Sequence, residues 1–255
     1  VNPSIRREIS VAFRSFRLPG FAVVLLFFAL LDPPIVKYMD RLMELAGAAE
    51  QIQIIMPPPT PAMALTQFLG DVSGIAVIVL VFLLMGIVAG ERATGVTEWV
   101  LTRPVTRSEY LTAKILVWGV GIVVSTLGAG AIASLYTWSL LGPVSLPVVA
   151  AALAAIAAYA LFAAAATFVG SVVLNSQLAA WFSGVGVLFV GALIKPLGSV
   201  LHIRRYLPFS LPDLANQVVA GAISPVDVIP GIVCALVISF LLAVFAYRRF
   251  AGMQL

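Results

Sequence analysis

Residues 68–90 read FLGDVSGIAVIVLVFLLMGIVAG, a run of 23 residues in which Asp71 is the one charged side chain. At 1.5 Å per residue a helix of that length reaches roughly 34 Å, enough to cross the ~30 Å hydrocarbon core of a bilayer. Working outward from it, five further runs qualify as spans: Pro19–Val36, Leu111–Trp138, Pro147–Leu174, Leu178–Ile194 and Val228–Tyr247. Leu178–Ile194 is the shortest, and the Ala-rich Pro147–Leu174 run leaves its length open. The reading is an all-α polytopic membrane protein, one transmembrane domain over residues 1–255.

Composition agrees. Apolar residues make up 62% of the 255, and Asp, Glu, Lys and Arg only 10%, against about a quarter in an average soluble domain. So few charges could not cover so much apolar surface in water. The net charge of +4 does not point to nucleic acid, because the cations stand at the ends of apolar runs. Cys234 is the one cysteine and lies inside such a run, so neither a disulfide framework nor a zinc site follows. The first arginines and the apolar stretch after them resemble a signal peptide. Asp32-Pro33-Pro34 follows with no small-residue cleavage pattern, so the stretch is read as a retained span.

The connecting segments set the expected orientation. The N-terminal segment, residues 91–114, Asn175–Gln177 and the C-terminus carry ten basic residues, and the alternate set carries five, Lys37, Arg41, Lys195, Arg204 and Arg205. The first set is expected to face the cytoplasm, with both termini inside and the protein in the cell membrane. Residues 1–18 place Ile5, Ile9, Phe13 and Phe16 at spacings of 4, 4 and 3 with arginines between. That pattern fits an amphipathic helix on the membrane surface, the alternative being a disordered tail. Two long external loops are expected. The first, 37–61, ends in an extended Pro57-Pro58-Pro59-Thr60-Pro61. The second, 196–227, is broken into short helical pieces by Pro208, Pro212 and Pro225.

Several chemistries find no residues. No GxxxxGK[ST] pattern exists and none of the three lysines follows a glycine, so the phosphate-cradling route to nucleotide hydrolysis is excluded. His202 is the single histidine, and neither a metal site nor a catalytic residue is assigned. The middles of the spans hold no Asp, Glu, Lys, Arg or His, which weighs against an ion-driven carrier. Gly86-x-x-x-Gly90 and Ala166-x-x-x-Gly170 permit close helix approach, within one subunit or at a dimer face. On the external side His202, Arg204 and Arg205 are candidates for contact with an anionic head group. Loop solvation and folding is the alternative.

The segment between the second and third spans is the most informative. Residues 90–114 read GERATGVTEWVLTRPVTRSEYLTAK. Val96, Trp99 and Val100 share one helical face, opposite Thr97; Pro104 stops that helix, and Thr106-x-x-Glu109 is a capping box that starts the next. Gly95 supplies either a close backbone approach or a positive φ. A basic interfacial loop without a special role is the plain alternative.

This stretch resembles the signature of ABC-2 type transporter permeases, carried here by Glu91, Arg92, Gly95, Arg103, Pro104, Thr106, Arg107 and Lys114 over about 25 residues. Val96 and Trp99-Val100 depart from the usual pattern, conservatively for an apolar face. The six-span layout, the N-terminal helix and the long loop before the last span extend the likeness over the chain. The resemblance implies two permease subunits with two nucleotide-binding subunits, usually an exporter. A separate ATPase would bind ATP and Mg, with no cofactor in this chain. A second permease copy or homologue and membrane lipids complete the partners. It further implies that the hairpin 91–110 is a coupling element on the ATPase, through Glu91, Arg92, Gly95, Glu98, Arg103, Pro104 and Arg107, with Asn175 at a smaller second contact. Two other readings compete: a membrane-embedded lipid-modifying enzyme, for which His202, Arg204, Arg205 and Asp213 are the one polar cluster, and a scaffold subunit that transports nothing.

Overall fold

A computed structural model describes residues 3–45, 58–102 and 106–252. Among the described residues every regular element is helical, and six helices are long and apolar enough to cross a membrane: Arg17–Lys37, Pro61–Ala93, Arg107–Leu141, Leu146–Val173, Gln177–Gly198 and Pro225–Ala251. They are the first to sixth spans below. A helix over Pro3–Arg14 precedes them, and a short helix over Val96–Leu101 follows the second span.

The six spans fall where the apolar runs do, with differences that local chemistry explains. The second span begins at Pro61 rather than near Phe68, because Thr60 caps it, its side chain accepting from Met63 N, and Pro61 occupies the first turn. The fifth helix runs past Ile194, through Pro196, to Val200. A proline inside a helix removes one backbone bond, and Lys195 just before it is held by Asp213 at 2.6 Å. The second long loop is divided into short helical pieces as expected, with Pro208, Pro212 and Pro225 standing in the first turns of Pro208–Ser210, Leu211–Val219 and Pro225–Val228. Helix Met39–Leu45 opens the first long loop, and Pro57 lies outside the described residues.

The second and fourth spans form the core, each more than half buried, whereas the fifth and sixth are 17% buried. Alanine makes the fourth span a close-packing spine, with Ala155, Ala160 and Ala163 fully buried. The small-residue pairs pack within the chain: a Cβ on Gly170 would run into Ser183, and Cβ atoms on Gly86 and Gly90 would meet Gln177 at 2.9 and 3.0 Å. One end of the bundle, the hairpin end, collects the Pro3–Arg14 helix, the Val96–Leu101 helix, the turn between the fourth and fifth spans and the last turn of the sixth.

Candidate functional site

The N-terminal helix turns Ile9 and Phe13 outward, 42% and 56% exposed, while Ile5 packs against the core and Phe16, in the turn after the helix, is 77% exposed. Its inward face carries Glu8 and Ala12, both buried. Glu8 meets Lys114 of the third span: Nζ donates to both carboxylate oxygens, at 3.2 and 3.1 Å, and Trp118 Nε1 donates to Oε1 at 3.3 Å. Lys114 also pairs with Glu91 Oε2 at 3.2 Å.

Glu91 is the hub. The Tyr110 hydroxyl donates to its Oε2 at 2.6 Å, and Arg7 Nη2 lies 3.5 Å from its Oε1. Thr97 Oγ1 sits 3.3 Å from the Tyr110 hydroxyl, and the Tyr110 ring stacks on Phe250 at 5.7 Å. One carboxylate thus joins the N-terminal helix, the end of the second span and the third span. Through Tyr110 it reaches the hairpin helix and the sixth span. Arg7, Glu8, Glu91 and Lys114 balance two positive charges against two negative. That balance is required, because the Lys114 and Glu8 side chains are 1% and 3% exposed and an unmatched charge there would be costly. Beside the cluster lies a cavity of about 290 Å³, lined by Glu8, Arg17, Gly90, Glu91, Lys114 and Gln177 among others.

Arg92 points to the other side. Its guanidinium donates to Val172 O and to Asn175 Oδ1, both at 2.9 Å, clamping the end of the second span to the turn between the fourth and fifth. Higher up, Ser171 Oγ contacts Val88 N, Ala89 N and Met85 O, where the second span is interrupted over residues 85–88.

Gly95 has φ 71° with open space around it, so the left-handed turn is what calls for glycine, not a close approach. The helix that follows differs from the sequence reading. Thr97 and Val100 are buried and Trp99 is exposed, because the Thr97 hydroxyl finds Tyr110 beneath it. Glu98 and Trp99 form the outward surface. The capping box is present, with Glu109 N bonded to Thr106 Oγ1 and Thr106 N to Glu109 Oε2. Arg107 Nη1 donates to Ala251 O at 3.1 Å. Arg103 and Pro104 lie outside the described residues.

Of the sequence candidates, the structure therefore brings Glu91, Arg92, Arg107 and Asn175 into contacts within the chain and leaves Glu98 facing outward. Glu8 and Ser171 join the site without having been singled out, and Tyr110 and Gln177, at the ends of the two connecting segments, take direct parts in it. At the opposite end the candidate residues find partners within the chain or face outward. Arg204 pairs with Asp213 at 3.0 Å, Arg205 with Asp227 at 3.3 Å, and His202 is exposed with φ 57°. Lys195 takes the second oxygen of Asp213.

Residues 35–248 match the model of a family described as ABC-2 family transporter protein. The chain is also similar to the uncharacterized transmembrane protein YxlG of Bacillus subtilis (strain 168), 26% identical over 184 residues that cover 72% of this chain and 71% of that protein.

Proposed function

The chain belongs to the ABC-2 family of transporter proteins, and from that premise we propose that it is the permease subunit of an exporter driven by ATP hydrolysis in a separate nucleotide-binding subunit. The family match supports a membrane subunit of an ABC transporter. ATP and Mg belong to the partner in this reading, and the permease is not itself an enzyme. It works in the cell membrane beside a second permease copy or homologue, with the hairpin end and both termini in the cytoplasm.

One observation carries the coupling part of the proposal. The Val96–Leu101 helix presents Glu98 and Trp99 outward, while the segment before it is fastened inward by Glu91 and Arg92 to three other parts of the bundle. A surface patch mounted on a buried charge network passes a push into the spans instead of absorbing it. Glu98 and Trp99 form the docking patch, Glu91 and Arg92 its mounting, and Asn175 the neighbouring anchor. Aromatic side chains at the centre of a contact commonly dominate its affinity.

The test is purification of the tagged chain from its own host membrane. Vanadate-sensitive ATP hydrolysis is expected to copurify. It should fall at least about tenfold with Glu98→Arg/Trp99→Ala, as losing one anchor worth ~1.4 kcal/mol would give, while the amount of inserted chain stays the same. Full retention of hydrolysis by that variant would remove the hairpin from the docking role.

A further inference from the structure

An α-helix bonds each N–H to the carbonyl four residues earlier, so Ala89 N–H belongs to Met85 C=O. In the second span a hydroxyl from another helix stands between them. Ser171 Oγ of the fourth span accepts from Ala89 N at 3.0 Å and from Val88 N at 3.1 Å, and donates to Met85 O at 2.9 Å. The ladder is regular up to Met85 N→Val81 O and resumes with Gly90 N→Gly86 O. Between them Ile87 N bonds only three residues back, to Leu84 O, and Val88 turns to φ −119°.

Sharp bends in helices come from proline, from Gly/Ser pairs, from π-bulges or from a group inserted into the ladder. Residues 77–93 contain no proline, and the π-helical turn of this span lies earlier, at Val72–Ala76. Gly86 lies in the interrupted turn, and its space is occupied by the Gln177 amide. The inserted hydroxyl is what satisfies the opened backbone. Ser171, Val88 and Ala89 are all buried, so water cannot substitute for it.

We propose that Ser171 is a positioning residue whose hydroxyl, wedged into the broken turn of the second span, sets the direction in which the hairpin leaves the bundle. The proposal rests on the reading of the hairpin as the docking element. Everything between the break and the docking patch lies within ten residues, Ala89 to Glu98. The second fixing point comes from the same short stretch of chain: Arg92 is held by Val172 O and Asn175, and Gln177 fills the space over Gly86 and Gly90. Residues 171–177 thus hold both ends of the interrupted segment. Without the hydroxyl, the helix has its own remedy, because Ala89 N–H can return to Met85 C=O. The break has two self-consistent arrangements, and the hydroxyl selects the interrupted one.

The experiment places nitroxide labels at Thr102→Cys and Ser176→Cys, both exposed, in a Cys234→Ala chain in lipid nanodiscs. Their separation is read by pulsed electron paramagnetic resonance. Ser171→Ala and Ser171→Gly remove the wedge. They should shift the mean distance by about 5 Å, the displacement that a ~20° kink gives over about ten helical residues. Ser171→Thr keeps a hydroxyl that can donate and accept, and should retain the wild-type distance. Sorting of the three variants by that group supports the proposal. An unchanged distance in Ala and Gly, or an equal shift in all three, overturns it. ATPase retention in the same preparations tests the underlying reading separately. A shifted distance with full retention upholds the role of Ser171 and counts against the hairpin as the docking element.

Discussion

Lys114 sits with 1% of its side chain exposed between two carboxylates, Glu8 at 3.1 Å and Glu91 at 3.2 Å. Burying an ion pair is no gain in itself, but removing one member leaves the other uncompensated, at about 3–5 kcal/mol. Lys114→Met is therefore expected to lower the thermal midpoint of the purified chain sharply. Glu8→Gln added to Lys114→Met should recover most of the loss, since it removes the buried charge that the first change leaves with only Trp118 and the more distant Arg7, 3.9 Å away, while Glu91 keeps Arg7 at 3.5 Å and Tyr110. Midpoints followed by size exclusion after heating decide it, and a double variant no better than the single would show that the two charges are not coupled. This pairing was only half legible in the sequence. Lys114 drew notice through the family signature, but Glu8 stands among arginines on a helix read for its apolar face, 106 positions from its partner. Ser171 was less legible still. In an alanine-rich helix a serine reads as one more small residue, and only the fold shows the broken turn opposite it.

The elements were legible where periodicity is local. The N-terminal helix was readable because its apolar residues recur every three or four positions, and the third span's start because Thr106 and Glu109 form a cap within one turn. The hairpin helix was misread on one face, since the contact that buries Thr97 comes from Tyr110, 13 residues on and across the turn. The N-terminal helix now has two faces with separate duties: Glu8 and Ala12 toward the third span, Ile9 and Phe13 away from the bundle. An outward apolar face beside a membrane-spanning bundle belongs in the lipid interface. An environment-sensitive fluorophore on Phe13→Cys, in a Cys234→Ala chain in liposomes, should be quenched by nitroxide-bearing lipids and spared by aqueous iodide. The reverse pattern would place this face in water.

At the scale of the whole molecule the six spans were readable because each apolar run holds at least 17 residues, the short end of what a membrane-crossing helix needs, and a run of that length has few other fates. Which spans form the core was not readable, because runs of similar apolarity end up 17% or 61% buried. The sidedness is where sequence and fold can be joined into one test. The proposed orientation places the side that carries ten basic residues in the cytoplasm, on charge asymmetry. The fold adds that this side is one physical unit: Arg7 reaches Glu91, Arg92 reaches Asn175, Arg107 reaches Ala251, and Tyr110 stacks on Phe250. The N-terminal helix, the hairpin, the 174–176 turn and the end of the sixth span cannot then lie on different sides, and a single accessibility experiment must give one consistent answer. With Cys234 replaced by Ala, cysteines at Thr102 and Gly252 should be shielded from a membrane-impermeant thiol reagent in intact cells and react after permeabilisation. A cysteine at Ala222, exposed at the opposite end, should react at once. Labelling of Thr102 and Gly252 from outside, with Ala222 protected, would invert the orientation and remove the hairpin from reach of a cytoplasmic ATPase. A split result between Thr102 and Gly252 would contradict the contacts that tie the two together.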